Sequence, residues 1–230
     1  SAFFARLAPE NLAGHSIPST QELFDFLEGR RPDSRILAEA LSQSVRLRFF
    51  HWPLEFPEVF ARGGFDVILC NPPWERIKLQ QEEFFATRDL DISRAPNAAA
   101  RRELIGQLRE KKPALWREYQ EALHDADAMS KYLRTCGQFP LTGRGDINTY
   151  AVFAERFTCL LRSQGRVGAV IPSGIATDNT TRHFFASLVD SNRLASLYDF
   201  ENREGIFDGV HRSYKFCLMT ITGAPRPRGA

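Results

Sequence analysis

Glycine-rich phosphate cradles, paired cysteines, long apolar runs and a charge of one sign are all missing from this sequence. No G-x-G-x-x-G turn occurs, so the segment that usually receives a nucleotide cofactor at a strand-to-helix junction is absent. Cys70, Cys136, Cys159 and Cys217 are far apart, without a C-x-x-C pair or a histidine at ligand spacing, which points to core or surface thiols and to no metal site. No run approaches the roughly 20 apolar residues that cross a bilayer. There is also no charged leader followed by an apolar signal segment. The expectation is a soluble protein of a reducing cytoplasm. A formal net charge of +2 excludes a general basic field, so any nucleic-acid contact must come from local patches or from other parts of a larger protein. There is no initiator methionine, and Ser1-Ala2-Phe3-Phe4 reads like the middle of a chain, so a piece of a longer polypeptide is expected. Its 230 residues suffice for one large α/β domain, or for one domain with an appendage.

What is present centres on Phe65-Asp66-Val67-Ile68-Leu69-Cys70-Asn71-Pro72-Pro73-Trp74. Val67, Ile68 and Leu69 form a short β-favouring apolar run, the pattern of a parallel strand covered on both faces. Two prolines then fix φ and supply no N–H, so sheet cannot continue and the local carbonyls stay free to face a ligand. The amide of Asn71, the carbonyl of Pro72 and the ring of Trp74 could together hold a planar group bearing an exocyclic amine. The amine would donate to both oxygens, which keeps its lone pair out of the ring and makes the nitrogen more nucleophilic. Stacking on Trp74 would add about 1–3 kcal/mol. Asn-Pro-Pro also occurs in ordinary turns, with a tryptophan covering a sheet end; the strand in front and the pattern behind favour the functional reading.

Residues 1–60 read as a mostly helical lead-in. Thr20 should cap a helix carrying Leu23, Phe24, Phe26 and Leu27, ended by Gly29 and Pro32; a second helix covers Ile36 to Leu47. The aromatics of Phe49 to Phe60 read as core, its prolines as breakers, and His51 as a packed histidine rather than a base. From Glu75 to about Gly145 the chain is helical and charged. Asn97 caps a helix through Arg109, and Pro113 opens another whose Trp116, Tyr119, Leu123, Ala126, Ser130 and Leu133 form a core stripe. Arg101, Arg102, Arg109, Lys111 and Lys112 read first as a solvated face and second as phosphate contacts. Asp146 is the expected N-cap of a helix from Ile147 to Arg162, with Gly165 just past its end. Strands follow at 166–171, 194–200 and 214–222, with a helix from Thr181 to Asp190 burying Phe184, Phe185, Leu188 and Val189. Residues 223–230, with Pro-Arg-Pro-Arg, read as an unstructured tail.

Asn71-Pro72-Pro73-Trp74 after a hydrophobic strand resembles the catalytic motif of the S-adenosylmethionine-dependent amino-methyltransferases that act on adenine in DNA. The lead-in Phe49 to Phe60 resembles the corresponding segment of large Eco57I-type restriction-modification methylases. The resemblance covers about residues 49–222 and implies an α/β fold: the catalytic half of a Rossmann-like methyltransferase sheet over residues 61–222, with a helical insertion at 75–145. It implies base flipping in double-stranded DNA, catalytic roles for Asn71, Pro72, Pro73 and Trp74, and base stacking by Phe207 from the loop Gly205-Ile206-Phe207-Asp208-Gly209-Val210. Taken alone, Phe207 reads equally as a hydrophobic plug under that loop. Asp146 and Asn148 fall where the family starts a helix beside S-adenosylmethionine.

Two departures stand out. Trp74 replaces the tyrosine or phenylalanine of many relatives, which preserves stacking. The family's Phe-x-Gly-x-Gly cofactor turn is absent, so the resemblance implies that the rest of the methyltransferase and a target-recognition domain lie elsewhere in the parent protein, and that this piece alone is inactive. Related Asn-Pro-Pro motifs serve enzymes that methylate protein glutamine or guanine in ribosomal RNA, and a catalytically inactive DNA-binding scaffold is a third reading.

Overall fold

The computed structural model describes residues 20–31 and 33–227. Helices α1 (Thr20–Leu27), α2 (Ser34–Leu47), α3 (Trp52–Glu55) and α4 (Pro57–Ala61) precede strand β1 (Phe65–Cys70). Then come α5 (Gln81–Phe85), α6 (Leu90–Ser93), α7 (Ala98–Lys111) and α8 (Pro113–Thr135). The chain returns through α9 (Thr149–Leu160), β2 (Leu161–Pro172), α10 (Gly174–Thr177), α11 (Arg182–Asp190), β3 (Leu194–Glu201) and β4 (Lys215–Thr222).

The four strands form one mixed α/β sheet in the order β1-β2-β4-β3. β1 and β2 run parallel, as a strand–helix–strand crossover requires, while β4 is antiparallel to both β2 and β3. Along each strand alternate residues share a face. Val167, Ala169 and Ile171 of β2 join Cys217, Met219 and Ile221 of β4 beneath Tyr150, Ala154 and Phe157 of α9 and Phe184 and Leu188 of α11. This is the principal core. Gly64 opens β1 with φ +119°, a left-handed conformation, and a Cβ there would collide with the backbone of Leu160 and Leu161.

The other face differs from the expectation of a strand covered on both sides. Val67 and Leu69 are 60% and 80% exposed, and Tyr198, Phe200 and Leu218 are also exposed. An apolar run identifies a strand but not what lies over it; among the described residues, no helix packs on this side of Val67 and Leu69.

Residues 81–135 have their own core of Phe85, Ile92, Ile105, Leu108 and Tyr119. Two local signals account for its boundaries. Asn97 Oδ1 accepts from the Ala100 N–H at 2.9 Å and starts α7, and Pro113 occupies the first turn of α8. The stripe on α8 is buried as its spacing indicates, through Tyr119 and Leu133 with Trp116 and Leu123 packed alongside.

Several local expectations are corrected. The apolar residues of α1 are exposed, and Pro32 lies outside the described residues. Pro53 and Pro57 sit in the first turns of α3 and α4, where a missing N–H costs nothing, so they start helices instead of breaking structure. His51 is exposed at the N-cap of α3, and Val189 of α11 is exposed. The helix expected from Ile147 begins at Thr149, with Asn148 rather than Asp146 at the N-cap position. It ends at Leu160 because β2 starts at Leu161. The β1–β2 register jumps from Phe65↔Leu161 to Val67↔Arg166, and this irregularity absorbs Gly165 into the strand. Arg226 of the expected tail is ordered: its N–H donates to the Asn192 carbonyl at 3.1 Å and its guanidinium to the Leu194 carbonyl at 2.7 Å.

Asp89 joins α6 to α8. Its carboxylate accepts from Lys112 Nζ at 2.7 Å and from the Ile92 N–H at 3.3 Å. The Lys112 hydrogen bond holds its pKa below the ordinary carboxylate value. A depressed folded value means the stabilisation is complete above the unfolded pKa of about 3.9 and is lost as pH falls through the lower folded one. Urea unfolding between about pH 2 and 5 is therefore expected to show a shallower acid-side loss of stability in Asp89→Asn than in the wild type.

Candidate active site

At the carboxyl end of β1 the chain enters Asn71-Pro72-Pro73-Trp74, with Asn71 exposed, Pro72 buried and Trp74 half-buried. Among the described residues no hydrogen bond engages the Asn71 amide or the Pro72 carbonyl. The Pro73 carbonyl differs from the expectation of free carbonyls, because the Thr149 hydroxyl donates to it at 2.6 Å. The same hydroxyl oxygen accepts from the Glu75 N–H at 2.9 Å. Thr149 N–H donates to the Glu75 carbonyl at 2.9 Å, Ile77 N–H donates to the Ile147 carbonyl at 3.1 Å, and Arg76 bridges Asn148. The residues after the motif are thus stitched antiparallel to the start of α9.

This seam brings Asn148 beside the strap that follows Trp74. Asn148 Oδ1 is buried without a partner, and Asp146 is exposed on the same approach to α9. An unpaired acceptor near a carboxylate fits the ammonium end of an amino-acid-like cofactor. No other cofactor-binding element of the sequence, such as a glycine-rich turn, accompanies them.

The aromatic residues converge from three segments. The Trp74 ring centroid lies 5.6 Å from Phe207 at 68°, 5.7 Å from Tyr214 at 13° and 6.5 Å from Phe216 at 27°. Phe207 and Phe216 meet edge-on at 5.0 Å. The structure therefore brings Phe207 to Trp74, and it adds Tyr214, which stacks on one face of the indole. Tyr214 and Phe216 share an i, i+2 spacing at the start of β4, a signal that sequence reasoning could have used. Trp74 Nε1 is buried without an acceptor among the described residues.

Asn202 holds the Phe207 loop. Fully buried, it accepts from the Phe207 N–H at 3.0 Å and donates through Nδ2 to the carbonyls of Phe207 at 3.1 Å and Val210 at 3.0 Å. Its own backbone N–H donates to the Tyr214 carbonyl at 3.0 Å, which ties the loop to the second stacking ring. Asparagine suits this position because one amide offers both a donor pair and an acceptor. Its role depends on a loop closure that only the fold creates.

Glu155 braces the approach to α9 in the same way. It accepts from the N–H groups of Leu141 and Thr142 at 3.1 and 2.8 Å and from the Thr142 hydroxyl at 2.5 Å.

Two thiols and two phenols near the motif are held neutral. Burial pushes the Cys70 thiol up to about 11 and the Cys217 thiol up to about 12. Burial, with Asp178 nearby, raises Tyr150 and Tyr214, and the charge of Arg76 offsets part of the rise in Tyr214. None of these four supplies an anionic nucleophile or a base near neutral pH. The site instead offers neutral acceptors, stacking surfaces and fixed geometry.

The five basic residues read as possible phosphate contacts have local partners in three cases. Arg101 pairs with Glu82 at 2.6 Å, Lys112 with Asp89 at 2.7 Å, and Lys111 donates to Gln107 at 2.7 Å. Arg102 and Arg109 are exposed. Among the described residues no cluster of His, Cys, Asp or Glu could hold a metal ion, and no helix is long and apolar enough to cross a membrane.

The stretch from α1 to the start of α7, motif included, has a counterpart among known families. Residues 25–102 match the Eco57I restriction-modification methylase. No curated protein and no solved structure matches the chain. The match spans about a third of the chain and supports, in general, a methyltransferase of the restriction-modification kind.

The Phe207 loop gives a direct check. Asn202→Ala is expected to lower stability by about 2 kcal/mol, because it leaves buried backbone groups of the loop unpaired. Urea unfolding followed by tryptophan fluorescence measures both the loss and any change around Trp74.

Proposed function

We propose that this chain is the catalytic half of an adenine-specific DNA methyltransferase within a restriction-modification or phage-defence protein of the cytoplasm. The observation that carries the reading is the juxtaposition of Asn71 and Pro72, at the end of β1, with the Trp74–Phe207 pair. S-adenosylmethionine supplies an electrophilic methyl group when bound. The residues that fit its ammonium end are Asp146 and Asn148.

Every other role belongs to residues of this chain. An adenine enclosed in a duplex must leave the stack, at a cost of a few kcal/mol. Stacking on Trp74, with Phe207 at the edge, offsets that cost. The Asn71 side-chain oxygen and the Pro72 carbonyl accept the two protons of the exocyclic amine and turn its lone pair toward the methyl donor. Catalysis is then positioning and charge stabilisation. The neutral state of Cys70, Tyr150 and Tyr214 suits a reaction whose proton is lost to solvent after transfer.

The sheet supports the same assignment. Its order β1-β2-β4-β3, with β4 antiparallel, fits the catalytic half of a Rossmann-like methyltransferase sheet. The outer edge of β1 and the exposed Val67 and Leu69 offer the surface on which the remaining strands and helices of the methyltransferase domain would continue. A target-recognition domain would complete the protein. The chain alone is expected to be inactive.

The test is transfer from tritiated S-adenosylmethionine to unmethylated DNA by the full-length protein, with chemical identification of the modified base. Methyladenine from wild type, and a loss of at least about a hundredfold in Asn71→Ala with folding intact, is the expected outcome. Label in protein or RNA would replace DNA as the substrate. Full activity in Asn71→Ala would remove the proposed amine contact.

A further inference from the structure

Directly after the motif, residues 75–80 form a strap whose alternate side chains have separate fates. Ile77 packs against the Leu133–Ile147–Val152 cluster, and Leu79 packs against the core around Phe85 and Ile105. Arg76 and Lys78, between and before these anchors, are exposed. The backbone pairing of Arg76 with Asn148 and of Ile77 with Ile147 fixes the strap from which both cations project.

Ion pairs are common in this chain, involving Arg46, Arg88, Arg101, Lys112 and Arg162, yet among the described residues neither Arg76 nor Lys78 joins one. Both line a cleft of about 530 Å³ whose wall includes Trp74, Phe84 and Ala126. Arg76 is close enough to Tyr214, the ring stacked on Trp74, for its charge to favour ionisation of that phenol. Two unpaired cations on a rigid strap, within four residues of a stacking indole, match a substrate in which an anionic backbone adjoins an aromatic base. Glu75 and Glu83 line the same cleft and disfavour an anion deep inside it, so the backbone would run along the rim.

We propose that Arg76 and Lys78 bind the phosphates flanking the flipped nucleotide and set how far its base reaches onto Trp74. This inference rests on the reading of the chain as part of a DNA methyltransferase. It goes beyond that reading by assigning the backbone contact to the strap rather than to the charged residues of α7 and its C-cap.

The experiment is a fluorescence-anisotropy titration of the full-length protein with a labelled, unmethylated duplex of mixed sequence, over a series of salt concentrations. Each lost phosphate contact lowers the slope of log K against log salt by about 0.9. Arg76→Gln with Lys78→Gln should therefore reduce the slope by about 2 and weaken binding alike on unrelated duplexes. The double variant should also raise KM for DNA more than it lowers kcat. The charge-conserving pair Arg76→Lys with Lys78→Arg should restore the slope, which separates charge loss from misfolding. A wild type that binds and methylates DNA, with an unchanged slope in the glutamine double variant, overturns this inference alone. A wild type that does not bind duplex DNA overturns it together with the proposed function.

Discussion

The seam between residues 73–77 and 147–149 is the constraint on which the arrangement of the site depends. Some seventy residues leave the motif and return to α9, and such an excursion would ordinarily leave its two ends loosely related. Here Thr149 closes the gap by donating to the Pro73 carbonyl and accepting from the Glu75 N–H, and the Ile77–Ile147 hydrogen bond extends the closure. The excursion can then pack around its own Phe85–Ile105–Tyr119 core without displacing Asn71 or Trp74. Each bond of this kind contributes only about 1 kcal/mol net. Their value is geometric, because they join the motif to a helix that is itself buried against the sheet.

The aromatic cluster at the other side of the motif is assembled from β4 and the loop after β3. Offset and edge-on ring pairs contribute about 0.5–1.5 kcal/mol each beyond their burial. Trp74, Phe207, Tyr214 and Phe216 are therefore a coupled set in which moving one ring alters the others. Asn202 governs that set from below, since it holds the backbone of Phe207 and is tied to Tyr214. Acceptors at the end of β1 and rings supplied by the end of β3 and the start of β4 meet only because β2 and β4 align those strand ends. That alignment turns three separate segments into one site.

Much of this was legible in the residues. The Asn97 cap, Pro113 at the start of α8 and the buried stripe on α8 follow from short-range rules of capping and helical spacing. The four strands follow from apolar runs and alternation, whereas Phe207, read by resemblance as closing on a base from the side opposite Trp74, meets the indole directly and edge-on. Less legible were features that depend on partners far along the chain. The start of α9 shifted to Thr149 because Ile147 and Asn148 pair with the strap, and Arg226 is ordered because it finds Asn192 and Leu194. No local periodicity carries such information.

The sequence by itself determined that four strands form, where α7 and α8 begin, that a rigid proline turn follows β1, and that no glycine-rich cofactor turn accompanies it, because these depend on φ restrictions, side-chain branching and period. Only the tertiary structure decided that β1 leaves Val67 and Leu69 exposed, that Thr149 takes the Pro73 carbonyl, and that Tyr214 occupies one face of Trp74. It also left Arg76 and Lys78 without ion-pair partners among the described residues, while Arg101 and Lys112 were paired off. The physical reason is the same in each case. Burial, hydrogen bonding and ion pairing are properties of pairs of groups, and their free energies depend on which distant segments the sheet brings together.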